Sequence, residues 1–123
     1  MSDSAGTAWL DSGARDWSDD LLSKSGMYRD QMPKLFEGSD PVGTLRPDLA
    51  VNWGVDAEVI VVGGSADNAA AACGVGALRE GAAFVSLGTS GVLLAAKDSF
   101  APMPASAVHT FCHAVPNRWY QMG

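Results

Sequence analysis

A chain of 123 residues, 47% hydrophobic and 18% charged, has the make-up of a globular domain, which excludes a disordered tail and a fibrous repeat. Eight Lys plus Arg against fourteen Asp plus Glu leave a net charge of −6, so the overall field does not favour phosphate backbones and no nucleic-acid partner is expected. No apolar run reaches the ~18 residues of a membrane span and the opening carries no signal-like core, so a cytoplasmic protein without a membrane partner is expected.

Composition shifts near Trp53, from a charged, Trp-rich half to one rich in Ala, Gly and Val. Thr7 to Leu10 reads as a short strand. Asp16 to Gly26 reads as a helix, with carboxylates in the first turn, Lys24 in the last and Gly26 beyond the end. Pro33 should interrupt any helix around Arg29 to Phe36, and Gly38-Ser39-Asp40-Pro41-Val42-Gly43 has the turn chemistry of a loop. A further helix fits Pro47 to Trp53, with proline at its first position and Gly54 closing it.

Glu58 to Val62 is a β-branched run without helical spacing, which predicts a strand buried on both faces. Gly63-Gly64 ends it, and Asp67-Asn68 is placed to cap an Ala-rich helix from Ala69 to Leu78. Ala83 to Leu87 and Val92 to Ala96 flank Gly88-Thr89-Ser90-Gly91 as the arms of a hairpin. The rest is loop-rich, with a strand starting at Trp119, and the ending at Gly123 suggests truncation.

Four features bear on chemistry. Asp67 stands at the mouth of a strand beside glycines, where α/β sheets place catalytic carboxylates, and its plainer reading is a helix cap. Asn68 has the same two readings, cap or ligand for a hydroxylated molecule. Gly88-Thr89-Ser90-Gly91 offers backbone N–H groups and hydroxyls to phosphate oxygens, or is an ordinary turn in which glycines supply positive φ. It is neither a nucleophile elbow nor a P-loop. His109, Cys112 and His113 carry metal-ligand atoms without a zinc-type spacing, so no metal ligand is assigned, and Cys73 and Cys112 are read as reduced thiols.

In order along the chain, the runs Arg15-Asp16-Trp17-Ser18-Asp19, Arg29-Asp30-Gln31-Met32-Pro33, Glu37-Gly38-Ser39, Asp67-Asn68-Ala69-Ala70, Ser86-Leu87-Gly88-Thr89-Ser90-Gly91-Val92 and Ser106-Ala107-Val108-His109-Thr110-Phe111-Cys112-His113-Ala114 resemble the central part of the FGGY carbohydrate kinases, on their xylulose branch. The likeness covers nearly the whole chain. It implies an α/β fold, part of a two-domain, actin-like (ribonuclease-H-like) ATPase-fold sugar kinase. Residues 1–78 would close its first domain and 79–123 open its second.

The same likeness implies ATP-dependent phosphorylation of D-xylulose to D-xylulose 5-phosphate with Mg²⁺. Asp67 would be the catalytic base, Asn68 a sugar contact, and Gly88, Thr89, Ser90 and Gly91 the hairpin against the ATP phosphates. A whole kinase of this family is several times longer, which implies a middle slice, inactive alone, whose uncovered apolar faces a homodimer is one way to hide. Ser65-Ala66 stand where the family has more glycine, a departure that bears on the backbone of that turn. The alternatives are a kinase of another pentulose or sugar, and a non-catalytic binding or assembly domain that keeps the fold.

Overall fold

The computed structural model describes residues 1–56 and 58–123. The first half holds short elements fastened by side chains. Leu10–Asp11 (β1) pairs antiparallel with Asp16–Trp17 (β2), and Ser4–Thr7 makes a 3-10 turn where a strand from Thr7 was expected. The helix expected from Asp16 begins later, at Asp19–Lys24 (α1), because Asp16 and Trp17 are committed to β2. Ser18 caps it by accepting from the Leu21 N–H, Lys24 pairs with Asp20 one turn earlier, and Gly26 leaves it at φ +74°. A 3-10 turn over Arg29–Gln31 stops short of Pro33.

Turn chemistry describes only part of the next segment. Gly38 to Asp40 turn, but Pro41–Thr44 (β3) pairs antiparallel with Ile60–Val62 (β4) across a bulge between Pro41 and Gly43. Proline is tolerated there because it opens a strand, and the bulge absorbs the lost ladder regularity. Pro47–Trp53 (α2) has the predicted bounds and is closed by Gly54 at φ +65°.

The residues of β4 are 41 to 61% exposed, against the burial on both faces that was expected. Only β3 pairs with it among the described residues, so its apolar side chains face outward.

Asp67–Val75 (α3) starts two residues before the expected Ala69 and ends at Gly76, φ +80°, before Leu78. Ala66 holds the capping position and no side chain caps the helix, so the reading of Asp67 or Asn68 as the cap is overturned: Asp67 is the first helical residue. Behind α3 lies a four-stranded antiparallel sheet. Ala83–Leu87 (β5) and Gly91–Lys97 (β6) form the predicted hairpin, and His109–Cys112 (β7) and Trp119–Met122 (β8) complete the order β5-β6-β8-β7.

Two apolar clusters hold these pieces. Ala69, Ala72 and Ala77 pack on Leu94 and Tyr120 of the sheet, the small alanines letting the α3 region approach closely. Ala5, Leu10, Trp17 and Leu22 pack with Cys112 of β7. Phe111 touches both clusters, so β7 is shared between the two halves. Among the described residues no helix is long and apolar enough to cross a membrane.

Candidate active site

Four residues, Gly63 to Ala66, carry the chain from β4 into α3. A Cβ on Gly63 would lie 2.4 Å from the Glu37 carbonyl oxygen, so only glycine lets the two backbones pass. Gly64 turns the chain at φ +71°, and its N–H donates to the Gly38 carbonyl at 3.0 Å. Ala66 sits at φ −59°, ψ 152°, an ordinary extended conformation. Neither Ser65 nor Ala66 has a positive φ, so neither position needs glycine for its backbone conformation. Buried Ser2 completes the hold, its Oγ accepting from the Ala66 N–H at 3.1 Å.

Asp67 emerges from this turn with an exposed side chain. Its Oδ1 accepts from the Asn68 backbone N–H at 2.6 Å and from Asn68 Nδ2 at 3.2 Å, while Oδ2 makes no hydrogen bond among the described residues. One oxygen is fixed and the other remains available to a ligand. Asp67 and Asn68 line a cavity of about 160 Å³ with Asp3, Phe111 and Tyr120. Burial, followed by the nearby Asp67, Cys112 and Asp3, pushes the Tyr120 phenol up to about 12, so this wall of the cavity stays neutral at physiological pH.

The Gly88 to Gly91 loop stands apart from that cavity, exposed at the tip of the β5–β6 hairpin. Leu87 pairs with Gly91 and the Gly88 N–H donates to the Ser90 carbonyl at 2.9 Å. The expectation that glycines supply positive φ here is not met, since neither Gly88 nor Gly91 has it. A Cβ at Gly91 would make only ordinary contact with Leu87 Cδ2 at 3.5 Å, and one at Gly88 would reach only the Ser90 carbonyl at 3.8 Å. Among the described residues nothing therefore demands glycine at either position.

The remaining candidates are occupied structurally. His113 is buried, with Nε2 3.1 Å from the Ala77 carbonyl and Nδ1 accepting from the Val115 N–H at 3.0 Å. A backbone N–H only donates, so Nδ1 must be the acceptor and Nε2 carries the proton. Cys112 points to the Ser12 carbonyl, burial raising its thiol pKa, and exposed His109 stacks on Phe111 with ring centroids 5.3 Å apart.

Sequence reasoning missed the parts that hold the Asp67 turn: Gly63, Ser2 and the ion pair of Arg15 with Glu37, whose Oε1 and Oε2 each lie 2.7 Å from Arg15 Nη2. The Gly63-Gly64 pair was a visible signal. Ser2 gave none, its partner lying 64 positions away, and Arg15 and Glu37, though each opens a family-like run, gave no sign of pairing across 22 positions.

A short helix led by an exposed carboxylate, set against an antiparallel sheet with a glycine-flanked hairpin, is an α/β arrangement whose relatives are recognisable. The profile of the FGGY family of carbohydrate kinases, N-terminal domain, matches residues 1–74, and the chain belongs to that family. It is 54% identical over 122 residues to a xylulose kinase of Escherichia coli K12, covering 99% of this chain and 25% of that protein. A crystal structure described as a xyloylose kinase from Brucella ovis superposes with a TM-score of 0.96 at 61% identity, over all of this chain and 25% of that one. A gluconate kinase structure from Lactobacillus acidophilus shares the fold, with a TM-score of 0.89 at 20% identity, over 99% of this chain and 25% of that one. The chain spans about a quarter of the length of these relatives.

Proposed function

We propose that this chain is part of an ATP-dependent kinase that converts D-xylulose to D-xylulose 5-phosphate, with Asp67 as general base. The observation that carries the reading is the Asp67 carboxylate itself: exposed, held by a turn that only glycine can make, one oxygen fixed by Asn68 and the other open. The names of the relatives supply the substrate class. In the reaction a sugar hydroxyl attacks the γ-phosphorus of ATP, its proton passes to Asp67 Oδ2, and the bond to the departing ADP oxygen breaks. Such transfers depend mostly on positioning and charge, so a pre-aimed carboxylate is the part this segment contributes.

Asn68 presents a donor and an acceptor beside the base, which suits sugar hydroxyls. Gly88, Thr89, Ser90 and Gly91 offer an exposed loop without a Cβ at either end, which leaves space for ATP phosphates. On this reading residues 1–78 belong to the first domain and 79–123 to the second. When bound together with ATP, Mg²⁺ would supply neutralisation of phosphate charge. Among the described residues no three His, Cys, Asp or Glu side chains converge on one point, so no residue is assigned to hold it.

Asp67→Asn in a full-length enzyme carrying this segment tests the assignment. Turnover should fall by about 10²- to 10⁴-fold with ATP affinity unchanged, the loss typical of a removed general base. Near-normal turnover would return Asp67 to the role of a helix-end residue. The likeness to gluconate kinase supports a second reading, a kinase of another sugar, and initial rates across a panel of pentuloses and gluconate separate the two.

A further inference from the structure

We propose that Arg15 and Glu37 are positioning residues for Asp67, a brace that fixes the base's turn to the β7–β8 side of the molecule. The inference rests on the reading of Asp67 as base. Arg15 Nη2 donates to both carboxylate oxygens of Glu37 at 2.7 Å, and Nε donates to Oε1 at 3.1 Å. Both side chains are largely buried, at 10% and 20% exposure. From the same guanidinium, Nη1 donates to the Arg118 carbonyl at 2.9 Å, 103 residues along the chain, and the plane lies over the Trp119 ring at 5.2 Å. Trp119 is tied in turn, its Nε1 donating to the Ser12 carbonyl at 2.6 Å.

Glu37 transmits this hold through its backbone. Its carbonyl is the atom that a Cβ on Gly63 would strike, and the next carbonyl, that of Gly38, receives the Gly64 N–H at 3.0 Å. The Glu37 N–H donates to Asp40 Oδ2 at 2.9 Å and the Asp40 carbonyl accepts from the Gly63 N–H at 3.0 Å, which closes a ring around the turn. Three residues after Gly64 comes Asp67. Arg15 itself sits in the turn between β1 and β2 at φ +57°, a conformation uncommon for a non-glycine residue. A forked guanidinium matches a carboxylate as an ammonium does not, so lysine keeps the charge and loses the geometry.

The experiment is a double-mutant cycle in the full-length enzyme, crossing Arg15→Lys with Asp67→Asn and reading kcat, KM for each substrate, and the melting temperature. Arg15→Lys alone should lower kcat by about 10- to 100-fold, the cost of a base displaced by about 1 Å, with KM for ATP unchanged and the protein folded at the assay temperature. In the Asp67→Asn background the same change should cost nothing further. Equal losses in both backgrounds, or near-normal kcat in Arg15→Lys, would overturn the proposal. If Arg15→Lys does not fold, Glu37→Gln, which keeps shape and one acceptor oxygen, enters the same cycle with the same expectations. An active Asp67→Asn enzyme sinks the base assignment and the brace with it. Coupling failure in an enzyme that does depend on Asp67 sinks the brace alone.

Discussion

Gly63 and Gly91 are glycines for different reasons, and substitution separates them. At Gly63 a Cβ meets backbone at 2.4 Å, so Gly63→Ala should destabilise the protein by about 1–3 kcal/mol, the cost of overpacking, and displace the turn before Asp67. At Gly91 a Cβ meets only Leu87 Cδ2 at 3.5 Å and φ is not positive, so Gly91→Ala should leave the unfolding free energy within about 0.5 kcal/mol, read by urea denaturation. A rise in KM for ATP without loss of stability would locate the need for glycine in the ligand. Unchanged ATP kinetics would remove the loop from the phosphate site.

His113 gives a pH dependence of known sign. Burial lowers its pKa below the usual 6.5 despite the Ala77 carbonyl, so the neutral ring belongs to the folded state. Its contribution to stability is complete above about pH 6.5 and is lost as pH falls from there through the folded pKa, where the unfolded chain binds the extra proton. Urea midpoints at pH 7.5 and pH 5.5 should differ, and His113→Gln should flatten that difference; an unchanged slope would contradict it. The second proton would have to enter at Nδ1, which already faces the Val115 N–H. None of this was legible beforehand, because the His109, Cys112 and His113 spacing says nothing about burial. The motif makes Asp67 a candidate, but its place as first helical residue was not legible, since capping preferences do not register a turn already fixed by Ser2 and Gly38.

Elements with local causes were readable in the sequence. Pro47 and Gly54 mark helix ends by local chemistry, and the β5–β6 hairpin follows from apolar runs around a small-residue loop, whereas Gly76 ends α3 short of the expected Leu78. Elements whose surroundings lie elsewhere were not. Turn chemistry reads most of β3 as loop because its pairing with β4 spans a helix, and apolar side chains predict burial for β4 because they fix what a residue prefers and not what covers it. Ile60→Lys should expose the difference. In a full-length enzyme it should cost about 1.5–3 kcal/mol, the value of a covered isoleucine, as read by urea denaturation. In the isolated chain, where Ile60 is 61% exposed, the same change should instead reduce self-association in light scattering. No destabilisation in the long enzyme would mean that β4 is a surface strand there too.

At the scale of the molecule, a few long-range contacts join the halves: Cys112 completes the Leu10–Trp17–Leu22 cluster, Arg15 reaches Arg118, and Trp119 reaches Ser12. These place Asp67 and β8 on one cavity, yet the chain spans about a quarter of its relatives. One exposed carboxylate and one hairpin do not surround two substrates, and closure around them is where orientation and exclusion of water come from. The isolated chain should therefore show no xylulose-dependent ADP release above background, and clear turnover would mean that the site is more self-contained than its cavity suggests.

The most direct test of the central claim is a graft. Residues 1–123 replace the matching quarter of the Escherichia coli xylulose kinase, and ADP release is measured with D-xylulose and Mg-ATP, with and without Asp67→Asn. The account predicts a folded chimera that phosphorylates D-xylulose within about tenfold of its host and loses about 10²-fold or more of that activity with the asparagine. A folded chimera that ignores D-xylulose, or one whose turnover survives the loss of the Asp67 carboxylate, would contradict it.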